Sequence, residues 1–162
     1  MNFDFSDDDK MVQDQINRFL RDNCGFGEFR SVLEGDATYS ESVWRGLSEM
    51  GVQGTAIPSA YGGVEAGYLS LCLAARELGA HLAPVPFSSS IYLAAEAIQV
   101  AGSEAQKEKW LPKLASGEII GTLAVTETVQ EPTPEDITTT FVKGKLNGTK
   151  LVVPHGLMAD VA

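Results

Sequence analysis

The strongest constraint on the fold is a change of pattern at Gly117. Before it, apolar residues recur at helical spacing behind residues that cap helices. After it, β-branched runs alternate with turn residues. A chain divided in this way is expected to be α+β, with an N-terminal all-helical domain over residues 1–117 and the beginning of an antiparallel β domain over residues 118–162. Its 162 residues allow one well-filled core and part of a second.

In the first part, Ser6 reads as an N-cap followed by Asp7, Asp8 and Asp9, where carboxylates favour the helix dipole. Met11, Val12, Ile16, Phe19 and Leu20 continue a helix to about Asn23. Residues 24–39 read as less regular, broken by Gly25, Gly27 and Gly35. Ser40 caps a second helix that carries Val43, Trp44, Leu47 and Met50 and stops at Gly51. Val52 to Pro58 reads as extended or irregular, and Tyr61-Gly62-Gly63 as a turn. Leu69 to Leu78 is apolar almost all round, which predicts a central, buried helix. A further helix is expected from Phe87 to Val100. Another is capped by Ser103 with Gln106 in the reciprocal position, its end blurred by Pro112.

In the second part, Ile119 to Thr126, Ile137 to Val142 and Leu151 to Val153 read as strands. Val129 to Glu135 reads as a loop, and Asn147-Gly148 as a hairpin turn. Met158 to Ala162 follow a strand-like run with no closing element, so the expectation is a polypeptide that continues beyond Ala162.

Charge and chemistry narrow the function by exclusion. The net charge of -10 disfavours nucleic acid as a partner, and no apolar run approaches the roughly 20 residues that cross a bilayer. An acidic start and two cysteines without a CxxC pair predict a cytoplasmic protein with reduced thiols. His81 and His155 stand far apart and in no ligand-spaced cluster, so no metal site is expected. His81 reads as a helix-end residue. His155 reads either as a surface loop residue or as one facing a ligand. Cys72 reads as core. Glu77 is the most unusual carboxylate, being set among apolar neighbours; a partner helix or a solvated edge would account for it. There is neither a nucleophile elbow nor a glycine-rich phosphate loop. No catalytic residue is assigned.

Four ordered stretches nevertheless carry a resemblance. They are Leu47-Ser48-Glu49-Met50-Gly51 through Ile57-Pro58 and Tyr61-Gly62-Gly63; Glu77-Leu78-Gly79 with Ala83-Pro84-Val85-Pro86; Gly102 to Lys107 with Trp110-Leu111-Pro112-Lys113-Leu114; and Leu123-Ala124-Val125-Thr126-Glu127 with Leu146-Asn147-Gly148-Thr149-Lys150. Together they resemble the front part of an acyl-CoA dehydrogenase, in which a helical domain and a middle β domain precede a four-helix bundle that is absent here. The resemblance implies FAD as cofactor and an acyl-CoA substrate oxidised at Cα–Cβ to the 2-enoyl-CoA. It also implies homo- or hetero-oligomers of such subunits, with an electron-transfer flavoprotein or a similar acceptor. It places Leu123, Val125, Thr126, Val152 and Pro154 at the flavin, and Phe87, Ser88 and Ser89 at the start of the helix lining the acyl pocket. For the serines, a plain helix N-terminus after Pro86 is the alternative.

The pattern also departs from the family. Pro132 stands where a serine is usual, Val152 where an aromatic residue packs on the flavin, and Pro154 where a threonine donates. Two readings follow. The chain belongs to a divergent dehydrogenase that still holds FAD, for a bulky or unusual acyl-CoA, or it is a non-catalytic structural partner in a heteromeric one, an assembly the family uses for bulky substrates such as steroid side-chain thioesters. An acyl-CoA-binding module made of the helical domain alone is a third.

Overall fold

The computed structural model describes residues 5–128 and 133–162. Pro132 and most of the expected 129–135 loop lie outside the described residues.

The N-terminal part is helical, as its capping signals require. Helix α1 (Asp7–Asn23) starts at Ser6, whose hydroxyl accepts from the Asp9 amide. Helix α3 (Glu41–Glu49) starts at Ser40 in the same way, and Gly51 ends it with a left-handed φ of 75°. Between them lies α2 (Phe26–Glu34), where the glycines had suggested irregular chain. Gly25 and Gly35 flank this helix as its caps, and none of its residues is buried. It is a surface helix whose apolar residues, Phe26, Phe29, Val32 and Leu33, recur at helical spacing between the two glycines.

Helix α4 (Gly67–Ala80) buries Leu71, Leu73, Ala74 and Leu78. It is less enclosed than its composition suggests, because Tyr68, Leu69 and Cys72 are exposed. The α1 helix covers one side of it through an unusual polar contact. Glu77, 4% exposed, receives Gln13 Nε2 at 2.6 Å and Asn17 Nδ2 at 2.7 Å. His81 caps the helix, with its Nε2 3.3 Å from Asn17 Nδ2. Burial pushes the Glu77 carboxyl up, but the bonds from Asn17 and Gln13, with the charges of Arg76 and His81, together hold it below the usual range.

Residues Ser88–Ala95 form a π-helical segment that runs directly into α5 (Glu96–Ala101). Such wide turns are rare and are often found at functional sites. Helix α6 (Glu104–Ala115) begins with the complete Ser103–Gln106 capping box and continues through Pro112. Leu111 and Leu114, both 0% exposed, anchor its turns around the proline. One apolar cluster joins Ile16, Leu20, Trp44, Leu47, Leu78 and Phe87; a second joins Ile57, Leu111, Leu114 and Ile119.

The β part is an antiparallel hairpin, β1 (Thr140–Val142) with β2 (Lys145–Asn147), in which Phe141 faces Leu146. Its turn is Lys143-Gly144, both with positive φ, and not Asn147-Gly148. Gly148 serves a different need: a Cβ there would lie 2.1 Å from Thr139 Oγ1. The stretches 122–127 and 151–153 do not form ladders. A strand exists only where a neighbour accepts its hydrogen bonds. Gly121 makes an isolated parallel bridge with Val161, and the Leu151 amide donates to the Thr126 carbonyl at 2.8 Å.

Candidate functional site

Some of the residues expected at a site lie where the β segments meet the π-helical turn. Two adjacent serines, both 0% exposed, make the joint. Ser90 Oγ accepts from the Gly121 amide at 3.1 Å. Ser89 Oγ lies 2.9 Å from His155 Nδ1 and donates to the Pro86 carbonyl at 3.1 Å. The chain approaches the helix so closely that a Cβ on Gly121 would sit 2.5 Å from Ala94 Cβ. Asp160 reinforces the seam, taking the Ile120 amide on its carboxylate at 2.8 Å and giving its own amide to the Ile120 carbonyl at 2.7 Å.

From this seam the segment 121–128 runs beside 150–156. Thr122 Oγ1 donates to the Pro154 carbonyl at 2.6 Å, and Lys150 Nζ to the Val125 carbonyl at 2.9 Å. Leu123, Val125, Thr126, Val152 and Pro154 therefore lie on two neighbouring segments that these bonds join into the β edge. Leu123 lines a cavity of about 250 Å³ with Ala94, Ile98 and Trp110. Val125 is 38% exposed and Val152 82%, the latter with a φ of 51° that β-branched residues seldom adopt. Of the three helix residues, only Ser89 reaches this region. Phe87 lies in the core, edge-on to Trp44 and Tyr92 with ring centroids 6.4 and 5.4 Å away, and Ser88 points outward.

A second, larger concavity of about 910 Å³ opens on the other side. It is lined by Val32, Leu33, Thr122, Ala124, Lys150 and His155 among others. Its two basic side chains are already engaged, Lys150 with Glu127 at 2.7 Å and His155 with Ser89. Glu127 accepts further bonds from the amides and hydroxyls of Thr138 and Thr139. The Lys150 ammonium, and then the two threonines, hold its carboxyl far below the usual range. The edge is thus built to hold backbone in place. Its acid–base groups are occupied in bonds that a proton-transferring residue would have to leave.

Glu127 and Lys150 lie in the stretches that carry the resemblance, and His155 is one of the residues that could face a ligand, but nothing local points to their hydrogen-bond partners or to Ser90 as part of this region. Their partners are distant along the chain: 31 residues separate Ser90 from Gly121 and 66 separate Ser89 from His155. Only the run of threonines at 138–140 offered a local hint, as a concentration of hydroxyl donors. Among the described residues, no group of three or more His, Cys, Asp or Glu could hold a metal, and no helix is long and apolar enough to cross a membrane.

Residues 6–118 match the family model for the N-terminal domain of acyl-CoA dehydrogenases. The chain belongs to the acyl-CoA dehydrogenase family. It is 32% identical over 162 residues to the human mitochondrial very long-chain specific acyl-CoA dehydrogenase, covering 94% of this chain and 24% of that protein. Among solved structures it resembles a chain of the ChsE4-ChsE5 complex from Mycobacterium tuberculosis, with a TM-score of 0.86 and 25% identity over 99% of this chain and 44% of that one. It also resembles an acyl-CoA dehydrogenase from Bacillus anthracis complexed with FAD, with a TM-score of 0.83 and 26% identity over 98% of this chain and 29% of that one. The chain therefore spans less than half the length of each of these relatives.

The edge residues fit one side of an FAD better than the other. Exposed Val125 and Val152 with the half-buried Thr126 suit a flat ring with polar edges. The pyrophosphate calls for cations or unpaired amides. The lysine at this edge, Lys150, is committed to Glu127 and to the Val125 carbonyl.

Proposed function

We propose that this chain is part of an acyl-CoA dehydrogenase-type subunit that acts as a structural partner within a mixed assembly. Its helical body carries the β edge, and that edge covers one side of a flavin whose catalytic surroundings come from another subunit. The assembly oxidises an acyl-CoA thioester at Cα–Cβ to the 2-enoyl-CoA and passes electrons to an electron-transfer flavoprotein or similar acceptor. Bound FAD would accept the hydride from Cβ, and the α proton would go to a base outside residues 1–162.

The observation that carries this reading is the commitment of Glu127, Lys150 and His155 to structural hydrogen bonds. An edge of that kind positions and covers; it has no residue poised to take a proton. The likeness to a chain of a two-component complex supports the mixed assembly. Val152 and Pro154 support it as well, since one gives a ring little contact area and the other has no donor.

The test is to purify the complete gene product alone and together with a second acyl-CoA dehydrogenase-like subunit. The pair is expected to be yellow and to bleach with an acyl-CoA, and the single component to do neither. Acyl-CoA oxidation by the single component at the rate of the pair would overturn the partner role.

A further inference from the structure

Glu127 makes a hub that a surface ion pair does not need. Oε2 accepts from the Thr138 amide and hydroxyl, both at 2.6 Å. Oε1 accepts from the Thr139 amide at 3.0 Å, from the Thr139 hydroxyl, and from Lys150 Nζ at 2.7 Å. These five donors more than fill the roughly four lone-pair sites of a carboxylate, so at least one site is shared. The Glu127 side chain is 6% exposed and the Lys150 side chain 22%. Exposed pairs are ordinarily loose and contribute little; this one is shielded and geometrically fixed.

The hub stands where a β ladder is missing. Segments 122–127 and 150–154 run side by side but form no strand pair. Lys150 spans from the Glu127 carboxylate to the Val125 carbonyl, and the next residue, Leu151, bonds Thr126. The carboxylate thus sets the spacing of residues 125–126 from 150–152. Gly148 lets the third segment close in, since any side chain there would strike Thr139.

We propose that Glu127 is the positioning residue of the flavin-facing edge. It acts through Lys150 and the two threonines to hold Val125, Thr126 and Val152 at the separation that ring contact requires, and it does not touch the ring itself. This rests on the flavin-covering role proposed above. Gln at 127 is nearly isosteric yet unsuitable: its amide would turn a donor toward the donors of Thr138, Thr139 or Lys150. The Val125 carbonyl would then lose its lysine. The helical clusters around Trp44 and Leu114 contain none of these residues.

The experiment compares wild type, Glu127→Gln, Glu127→Asp and Lys150→Met in the complete gene product assembled with its partner subunit. It measures FAD retained after gel filtration, amide exchange at Thr138 and Thr139, and amide exchange in α3 as a report on the helical body. Glu127→Gln is expected to lose FAD affinity by about tenfold or more, the scale for removing charge-assisted hydrogen bonds. The Thr138 and Thr139 amides should exchange faster while α3 is unchanged, and Glu127→Asp should fall between. Lys150→Met leaves the carboxylate–threonine bonds in place and should still weaken FAD several-fold. It decides the matter if the Gln variant fails to fold. FAD retention within about twofold of wild type, the scale of an indifferent surface change, would overturn the positioning role while leaving the covering role intact. A wild-type assembly that binds no FAD would overturn the covering role and the positioning role with it.

Discussion

Replacing Ser90 with alanine tests whether the joint between helix and β edge depends on a single buried hydrogen bond. Ser90 Oγ accepts from the Gly121 amide at 3.1 Å, and both residues are buried. Alanine removes one oxygen, a void smaller than a water molecule, and Gly121 is already pressed against Ala94, so no solvent can enter to pair the orphaned amide. Leaving a buried donor unsatisfied costs about 1–3 kcal/mol. For a chain of this size that corresponds to a fall in Tm of roughly 2–12 °C. Alanine also favours helices by a few tenths of a kcal/mol, which would mask part of the loss. Ser88→Ala, at an exposed position of the same helical turn, carries that gain alone. The informative quantity is the difference between the two variants, read from urea unfolding followed by tryptophan fluorescence. Ser90→Ala should be the less stable by about 1 kcal/mol or more, with faster exchange at the Gly121 amide. Equal stabilities and unchanged exchange would refute the reasoning.

Glu77 should give the protein an acid-sensitive component of stability. Its folded pKa lies below the unfolded value, so its contribution is fully present above the ordinary glutamate value near 4.5 and is lost as pH falls below that value and through the lower folded one. Glu77→Gln should therefore flatten the acid limb of a stability-versus-pH curve, measured by urea unfolding between about pH 6 and 3. Trp44 Nε1 donates to the Gly117 carbonyl at 3.0 Å, tying α3 to the end of the helical region. Trp44→Phe should lower stability by about 1 kcal/mol or more, followed by circular dichroism, because it removes both that bond and ring area packed on Phe87.

Local chemistry made most of the helices legible. Ser6, Ser40 and Ser103 each act as the cap that their neighbours imply, because capping involves residues within one turn. Helix α2 escaped notice because glycine has two meanings: at Gly25 and Gly35 it bounds a helix, and a reading by composition sees only a breaker. The hairpin shows the limit of turn signals. Asn147-Gly148 is a strong one, yet turning at Lys143-Gly144 lets Phe141 face Leu146. The left-handed φ therefore falls on Lys143 and Gly144, and Gly148 is used for close approach instead.

The same division explains what the sequence revealed of the site. Resemblance singled out Thr126, because motif positions are recognisable one residue at a time. It includes Glu127 in the same motif but gives it no role, because its partners lie 11, 12 and 23 residues away and become visible only when three segments meet. Yet the two observations belong together. Glu127 follows Thr126 directly, and its carboxylate ties the chain at that point to Thr138, Thr139 and Lys150. Candidate site residues on irregular segments should therefore be read with their immediate neighbours, since the group that sets the position of a contact can lie one residue from the contact itself.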